Sequence, residues 1–165
     1  MKPLKAIVLD VDGVLTDGGV WWGPNGEEWK RFSFADIMGV SIARKAGLIV
    51  ALISGEDSPL VDRFAVKMGI SDVEKNCKDK ARALRSFADR RRLALSDIAF
   101  MGDDVNDLEA LEIAGVGAAP ANAVPAVLRK AAFVTAKEGG HGAVRELVDA
   151  ILTANEAAID RAQSL

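Results

Sequence analysis

Short, almost purely apolar runs alternate along this chain with longer stretches whose apolar residues recur at helical spacing. The apolar runs lie at 4–9, 48–53, 98–101, 115–118 and 132–135. Their near-continuous hydrophobicity suits strands buried on both faces, as in a parallel sheet covered by helices. Ile37 to Ala46 reads as a helix that stops at Gly47, a plausible left-handed cap. Ser58-Pro59 reads as an N-cap followed by proline at the first helical position, and that helix closes near Gly69. Ala81, Leu84, Phe87 and Ala88 share one helical face, and Val144, Leu147, Val148, Ile151 and Leu152 form the clearest stripe. Strand then helix, repeated, predicts an α/β fold with a doubly wound, Rossmann-like parallel sheet. With no internal repeat or low-complexity linker, residues 1–165 read as a single domain, with a C-terminal helix and tail over about 141–165.

One segment breaks this rhythm. Over 18–33 the sequence runs through Trp21, Trp22, Asn25-Gly26 and Trp29, and the Asn-Gly pair signals a β-hairpin. Adjacent tryptophans on a strand point to opposite faces. One face can rest on the domain's own core; the other then needs a cover. A flap with one partly exposed tryptophan and a subunit interface or active-site cover both fit.

Composition narrows the function classes. Half of the residues are hydrophobic and the net charge is −3, so neither nucleic acid nor an anionic membrane surface is an expected partner. The basic run Arg90 to Arg92 falls at a helix end, where cations suit the helix dipole. Cys77 is the lone cysteine, which fits a reducing compartment. No apolar stretch reaches the roughly 20 residues a membrane span needs, and the N-terminal run lacks the pattern of a secretory signal. The cytoplasm is the expected location.

The chemistry gathers at strand ends. In doubly wound sheets, ligands bind outside the carboxyl ends of the strands. Asp10 and Asp12 follow the first apolar run, in LDVDGVLTDG. Ser54, Gly55 and Glu56 follow the second, Asp103 and Asp104 follow the run at 98–101, and Asp107 stands one helical turn beyond. Lys80 opens the helix before that run. Any one aspartate could simply cap the next helix. Four carboxylates on one surface repel by roughly 4 kcal/mol per pair at about 4 Å and an effective dielectric near 20. A hard divalent cation with oxygen ligands, Mg²⁺ above all, relieves this. Metal, carboxylate, hydroxyl and ammonium together describe phosphoryl transfer, in which positioning and charge stabilisation do most of the catalysis. A carboxylate can also serve as a covalent nucleophile.

The order DxDGVLTDG, then Ser after a strand, then Lys, then GDDxxD resembles the haloacid dehalogenase-like (HAD) phosphatase superfamily along the whole chain. The resemblance implies Asp10 as nucleophile and Asp12 as general acid and then base. Ser54 and Lys80 would hold the phosphoryl oxygens, with Gly55 supporting them. Mg²⁺ would be bound by Asp10, the Asp12 carbonyl, Asp103 and Asp104, the last directly or through water, while Asp107 supports Lys80 or the metal shell. The stretch between Asp12 and Ser54 is too short for a cap domain. The chain therefore resembles the capless (C0) branch, which includes the 3-deoxy-D-manno-octulosonate (KDO) 8-phosphate phosphatases. That likeness implies a homotetramer assembled through the 18–33 hairpin, with a neighbouring subunit closing each site.

The second motif departs from those enzymes: Ser54-Gly55-Glu56 replaces a typical Thr-Gly-Arg. Together with GEEWKRF and Asp36, this looks closer to relatives acting on nine-carbon keto-deoxy sugar acids such as KDN 9-phosphate. That substrate is the first expectation and KDO 8-phosphate the alternative. Arginine could clasp a substrate carboxylate, whereas Glu56 would accept hydrogen bonds from hydroxyls, unless it only faces solvent or a neighbouring subunit. Arg63 and Lys67 on the following helix could add positive charge to this site or the next subunit's, or lie on a solvated face. His141 sits in a glycine-rich loop, GGHGAVRE, either near a neighbour's substrate or merely at the surface. A receiver-like phospho-acceptor would share the sheet, acidic pair and lysine but carry its acceptor aspartate after the third strand. A catalytically idle assembly domain would not need the complete set of motifs.

Overall fold

The computed structural model describes residues 3–163. From the N-terminus, β1 (Ala6–Leu9) leads to a two-stranded hairpin, β2 (Trp21–Trp22) and β3 (Glu28–Trp29), and then to α1 (Phe34–Lys45). There follow β4 (Ile49–Ile53), α2 (Pro59–Met68), β5 (Asp72–Glu74), α3 (Lys80–Arg91), β6 (Ile98–Met101) and α4 (Leu108–Ile113). The chain ends with β7 (Val116–Ala119), α5 (Pro125–Leu128), β8 (Phe133–Val134) and α6 (Ala143–Gln163).

Six strands form one parallel sheet in the order β5-β4-β1-β6-β7-β8. The chain winds outward from β1 through β4 to β5, then returns through α3 to start again at β6 on the other side. The winding therefore reverses at β1, where doubly wound sheets open a crevice beyond the strand ends.

Strand alternation divides the core into two layers. Ile7 and Leu9 face α1, α2 and α6 with Val40, Phe64, Val144 and Leu147. Ala6 and Val8 face the opposite layer with Leu84, Phe87, Leu111 and Val127. Burial on both faces explains why β1 reads as unbroken AIVL, without polar alternation.

The helix starts follow local chemistry. Ser33 Oγ accepts the Ala35 N–H, so α1 begins at Phe34, three residues ahead of the apolar pattern. Ser58 caps α2 with Pro59 in its first turn, and Gly69 closes it in the left-handed region, as the sequence predicts. Asp79 caps α3 by accepting the Arg82 N–H, which puts Lys80 at the first helical position.

The hairpin stands away from this frame. Trp21 pairs with Trp29 across it, and Gly26 turns it at φ +88°. Trp21, Trp22 and Trp29 are 72%, 76% and 55% exposed, and Phe34 beside them is 82% exposed. Neither Trp21 nor Trp22 turns its ring onto the core, while Trp29, half exposed, borders a groove with Phe32 and Phe64; Lys30 just beyond β3 turns inward.

Candidate active site

The β1–β6 pairing carries the first aspartate into place. The Asp10 N–H donates to the Met101 carbonyl at 3.0 Å, extending the ladder one residue past β1. Val11 then plunges into the core, and its carbonyl accepts the N–H groups of Val14, Leu15 and Thr16. Thr16 Oγ1 closes the turn by accepting from Gly13 and Gly18, both at 3.2 Å. This tight loop needs glycine at position 13. Gly13 has φ +83°, and a Cβ there would collide with the Asp103 carboxylate. The β1 and β6 loops are thus packed directly against each other.

Lys80 lies beneath them with its side chain 1% exposed. Its Nζ is 3.0 Å from Asp10 Oδ1 and 2.6 Å from Asp107 Oδ1. The other Asp107 oxygen accepts the N–H groups of Asp103 and Asp104 at 3.0 and 3.2 Å. Asp107 therefore has both oxygens engaged and orients the lysine and the β6 loop together.

Asp10, Asp103 and Asp107 can place carboxylate oxygens within 4.8 Å of one another, a spacing that suits a metal ion. The protein's own groups leave this cluster short of positive charge. Burial, with the Asp107 charge opposing the help from Lys80, pushes the Asp10 carboxyl up to about 8. Burial and the neighbouring Asp107 and Asp104 push Asp103 up to about 7. Both groups would be held ionised at neutral pH by a divalent cation among their oxygens. Hard oxygen donors fit Mg²⁺ in particular.

The pocket above these groups, about 240 Å³, is also walled by Asp12, Gly55, Glu56, Asp104 and Asn106. Asp104 Oδ1 caps the turn at Val105, and its carboxylate is not among the three that converge. Ser54 ends β4 fully buried, with its Oγ accepting the Glu56 N–H; Gly55 and Glu56, rather than the Ser54 side chain, reach the pocket wall.

The remaining candidates are dispersed. Arg63 and Lys67 line a neighbouring groove of about 270 Å³ with Trp29, Phe32, Leu60 and Phe64. Asp36 is 1% exposed and accepts the N–H groups of Gly142 and Arg145, so it tethers α6 to α1 instead of lining the pocket. The His141 ring lies 3.0 Å from the Gly139 carbonyl and 3.4 Å from Arg31. Cys77 is buried, and burial pushes its thiol up, as expected of a packing residue.

Sequence reasoning missed Lys30. Its Nζ is 2.8 Å from Asp12 Oδ1 and 3.5 Å from Glu28 Oε1, with the side chain 5% exposed. Burial alone would lower the pKa of this ammonium; Asp12 and Glu28 outweigh it and raise it. The available signal was alternation: if Trp29 faces outward, Lys30 must face inward. Asn122 was also missed. It donates to the Gly13 carbonyl and accepts the Gly139 N–H, tying the C-terminal glycine loop to the first motif.

Comparison with known proteins matches residues 28–147 to the haloacid dehalogenase-like hydrolase family model. The KDO 8-phosphate phosphatase KdsC of Escherichia coli K12 is 36% identical over 151 residues, covering 92% of this chain and 80% of that protein. A crystal structure of the KDO 8-phosphate phosphatase from Moraxella catarrhalis, in complex with magnesium ion, phosphate ion and KDO, superposes with a TM-score of 0.91. It is 35% identical, covering 98% of this chain and 92% of that one. The cobalt-bound enzyme of the same activity from Haemophilus influenzae gives a TM-score of 0.90 at 34% identity, over 94% of this chain and 91% of that one.

Proposed function

The chain belongs to the haloacid dehalogenase-like hydrolase family, and we propose that it is a Mg²⁺-dependent phosphatase acting on a 2-keto-3-deoxy sugar acid phosphate. The observation that carries this reading is Asp10, held at 3.0 Å by Lys80 and clustered with Asp103 at the mouth of the β1 crevice. Asp10, Asp103 and the Asp12 carbonyl would hold the metal, with Asp104 positioned to act through water. When bound, Mg²⁺ neutralises these carboxylates and the charge on the phosphoryl oxygens.

Lys80 fixes one Asp10 oxygen and leaves the other to attack phosphorus. An Asp10 oxygen–phosphorus bond forms as the bond to the sugar oxygen breaks, and Asp12 gives its proton to that leaving oxygen. Water then attacks the aspartyl-phosphate, Asp12 takes the water's proton, and Asp10 is released as carboxylate. Lys80 steadies the phosphoryl oxygens through both steps. Monoester hydrolysis calls for accelerations up to ~10²¹, so nucleophile, acid–base group and cations must act together. A receiver-like phospho-acceptor gains little support from this arrangement: β4 on one side of β1 leads to Ser54, and the aspartate after β6 on the other side, Asp103, converges with Asp10 and Asp107 as a candidate metal ligand.

Two substrates remain as named choices. The named relatives point to KDO 8-phosphate; Glu56 on the pocket wall, an acceptor for sugar hydroxyls, supports the longer, more hydroxylated nine-carbon acid of KDN 9-phosphate. A homotetramer formed through the hairpin is supported by its exposed tryptophans and Phe34. The cytoplasm is its proposed compartment, consistent with a single buried cysteine; among the described residues no helix is long and apolar enough to cross a membrane.

The test compares kcat/KM on KDO 8-phosphate and KDN 9-phosphate with Mg²⁺, for the native chain, Asp10→Asn and Glu56→Arg. Asp10→Asn is expected to abolish turnover on both; retained turnover would remove Asp10 as nucleophile. Glu56→Arg should shift the ratio toward KDO 8-phosphate, and an unchanged ratio would remove Glu56 as a selector.

A further inference from the structure

Asp12 has to do two jobs from one position, yet its carboxyl stands at the pocket lip, with its side chain 30% exposed. Among the described residues, Lys30 is its one ion-pair partner, at 2.8 Å from Oδ1. The second oxygen is left for a reacting group. Lys30 is in turn anchored from behind. Glu28, on the same face of the hairpin two residues earlier, lies 3.5 Å from its Nζ. Ser58 Oγ, at the start of α2, donates to Glu28 Oε1 at 2.9 Å, and Trp22 Nε1 donates to Oε2 at 3.2 Å. A continuous polar chain thus runs from α2 through the hairpin to Asp12.

We propose that Lys30 is a positioning residue for Asp12, fixing one carboxyl oxygen so that the other meets the leaving oxygen of the substrate. The proposal rests on the reading of Asp12 as general acid given above. A general acid works only within about 2.6–3.2 Å of its target oxygen, and a misplacement of ~1 Å can cost ~10²-fold in rate. An aspartate at a half-open lip has several staggered side-chain rotamers available. The buried ammonium selects one of them. With its side chain 5% exposed, this lysine is costly to leave unpaired, which favours its staying on Asp12 and Glu28. Lys80, not Lys30, lines the pocket that would seat the phosphoryl group.

The test uses leaving groups. An alkyl phosphate needs its departing oxygen protonated, whereas 4-nitrophenolate departs without help. kcat/KM covers the steps up to transfer of the phosphoryl group to Asp10, so it isolates the acid role. For Lys30→Met, kcat/KM on the better of KDO 8-phosphate and KDN 9-phosphate should fall at least ~10-fold, while that on 4-nitrophenyl phosphate falls no more than ~3-fold. Lys30→Arg, which restores the charge, should recover most of the loss. Lys30→Gln makes the same comparison in a more conservative background if the methionine variant does not fold. An equal loss on both substrates, or no selective loss on the alkyl ester, overturns the proposal. Asp10→Asn separates this from failure of the phosphatase reading. If it silences both substrates while Lys30→Met leaves their ratio flat, the phosphatase stands and the role of Lys30 falls.

Discussion

Asp107 holds Lys80 at 2.6 Å through one carboxylate oxygen and the β6 loop through the other, with both side chains sealed from water. This joins the helix that brings the Lys80 ammonium to the loop that brings Asp103. Removing one member of a buried ion pair costs about 3–5 kcal/mol where the other is left uncompensated; without Asp107, Lys80 would keep only Asp10, and the Asp103 and Asp104 N–H groups would lose their acceptor. Asp107→Ala should therefore lower the melting temperature markedly and reduce kcat at least ~10-fold, read by calorimetry and steady-state kinetics with saturating Mg²⁺. Native-like stability would show that Asp10, at 3.0 Å, suffices as the partner of Lys80.

The acidic pocket sets a dependence on pH. Asp10 and Asp103 are raised from 3.8 to about 8 and about 7. The metal-free folded chain therefore binds more protons than the unfolded chain between about pH 4 and about pH 8. Its stability contribution from these groups is present at the acid end and is lost as pH rises through that window. Melts in chelator should show the decline, and added Mg²⁺ should raise Tm more at about pH 8.5 than at about pH 5.5, because protons compete with the ion. An equal shift at both values would place the ion elsewhere.

Two glycines with similar backbone angles should respond differently. Gly26 at the hairpin tip has nothing within 4 Å of a built Cβ, so Gly26→Ala should cost about 1 kcal/mol of backbone strain and leave kcat alone. Gly13→Ala meets the same strain and displaces the Asp103 carboxylate as well. Weaker Mg²⁺ half-saturation and a lower kcat should follow, measured by metal titration of activity. Similar kinetics in the two variants would mean that the Asp103 side chain moves aside harmlessly.

The hairpin prediction concerns assembly. Trp21→Ser with Phe34→Ser removes two large exposed rings that take no part in the pocket or in the Glu28–Lys30 chain. Sedimentation velocity should show a smaller species than the native chain, and kcat/KM on sugar acid phosphate should fall more than that on 4-nitrophenyl phosphate. An unchanged sedimentation coefficient would place the subunit contact elsewhere.

Much of this was legible where one element carries its own explanation. The runs that became β1, β4, β6 and β7 are apolar because both faces are largely covered, whereas β8 at the edge leaves Val134 exposed; Ser58, Pro59 and Gly69 mark their helix within one turn at either end. β5 was not legible: Asp72-Val73-Glu74 is a short, half-buried edge strand that exists through its pairing with β4, and two of its residues are acids poorly suited to strands. Lys80 and Asp10 could be placed together because both fall at strand or helix ends facing the same crevice. Lys30 could not, since its partner belongs to a different element and its burial depends on how the hairpin folds back. Asp36 shows the converse: a carboxylate beside the motifs in sequence whose task is to receive the N-terminal N–H groups of α6.

The alternation at the end of β3 has a pharmacological consequence. Trp29 looks outward over the groove formed with Phe32, Leu60 and Phe64, and the next residue, Lys30, lines that groove and grips Asp12. A compound wedged into the groove would bear on Asp12 through Lys30 without entering the acidic pocket. Such a compound could be aromatic with one acidic group toward Arg63 and Lys67, a chemistry unlike any that the carboxylate-crowded pocket would admit.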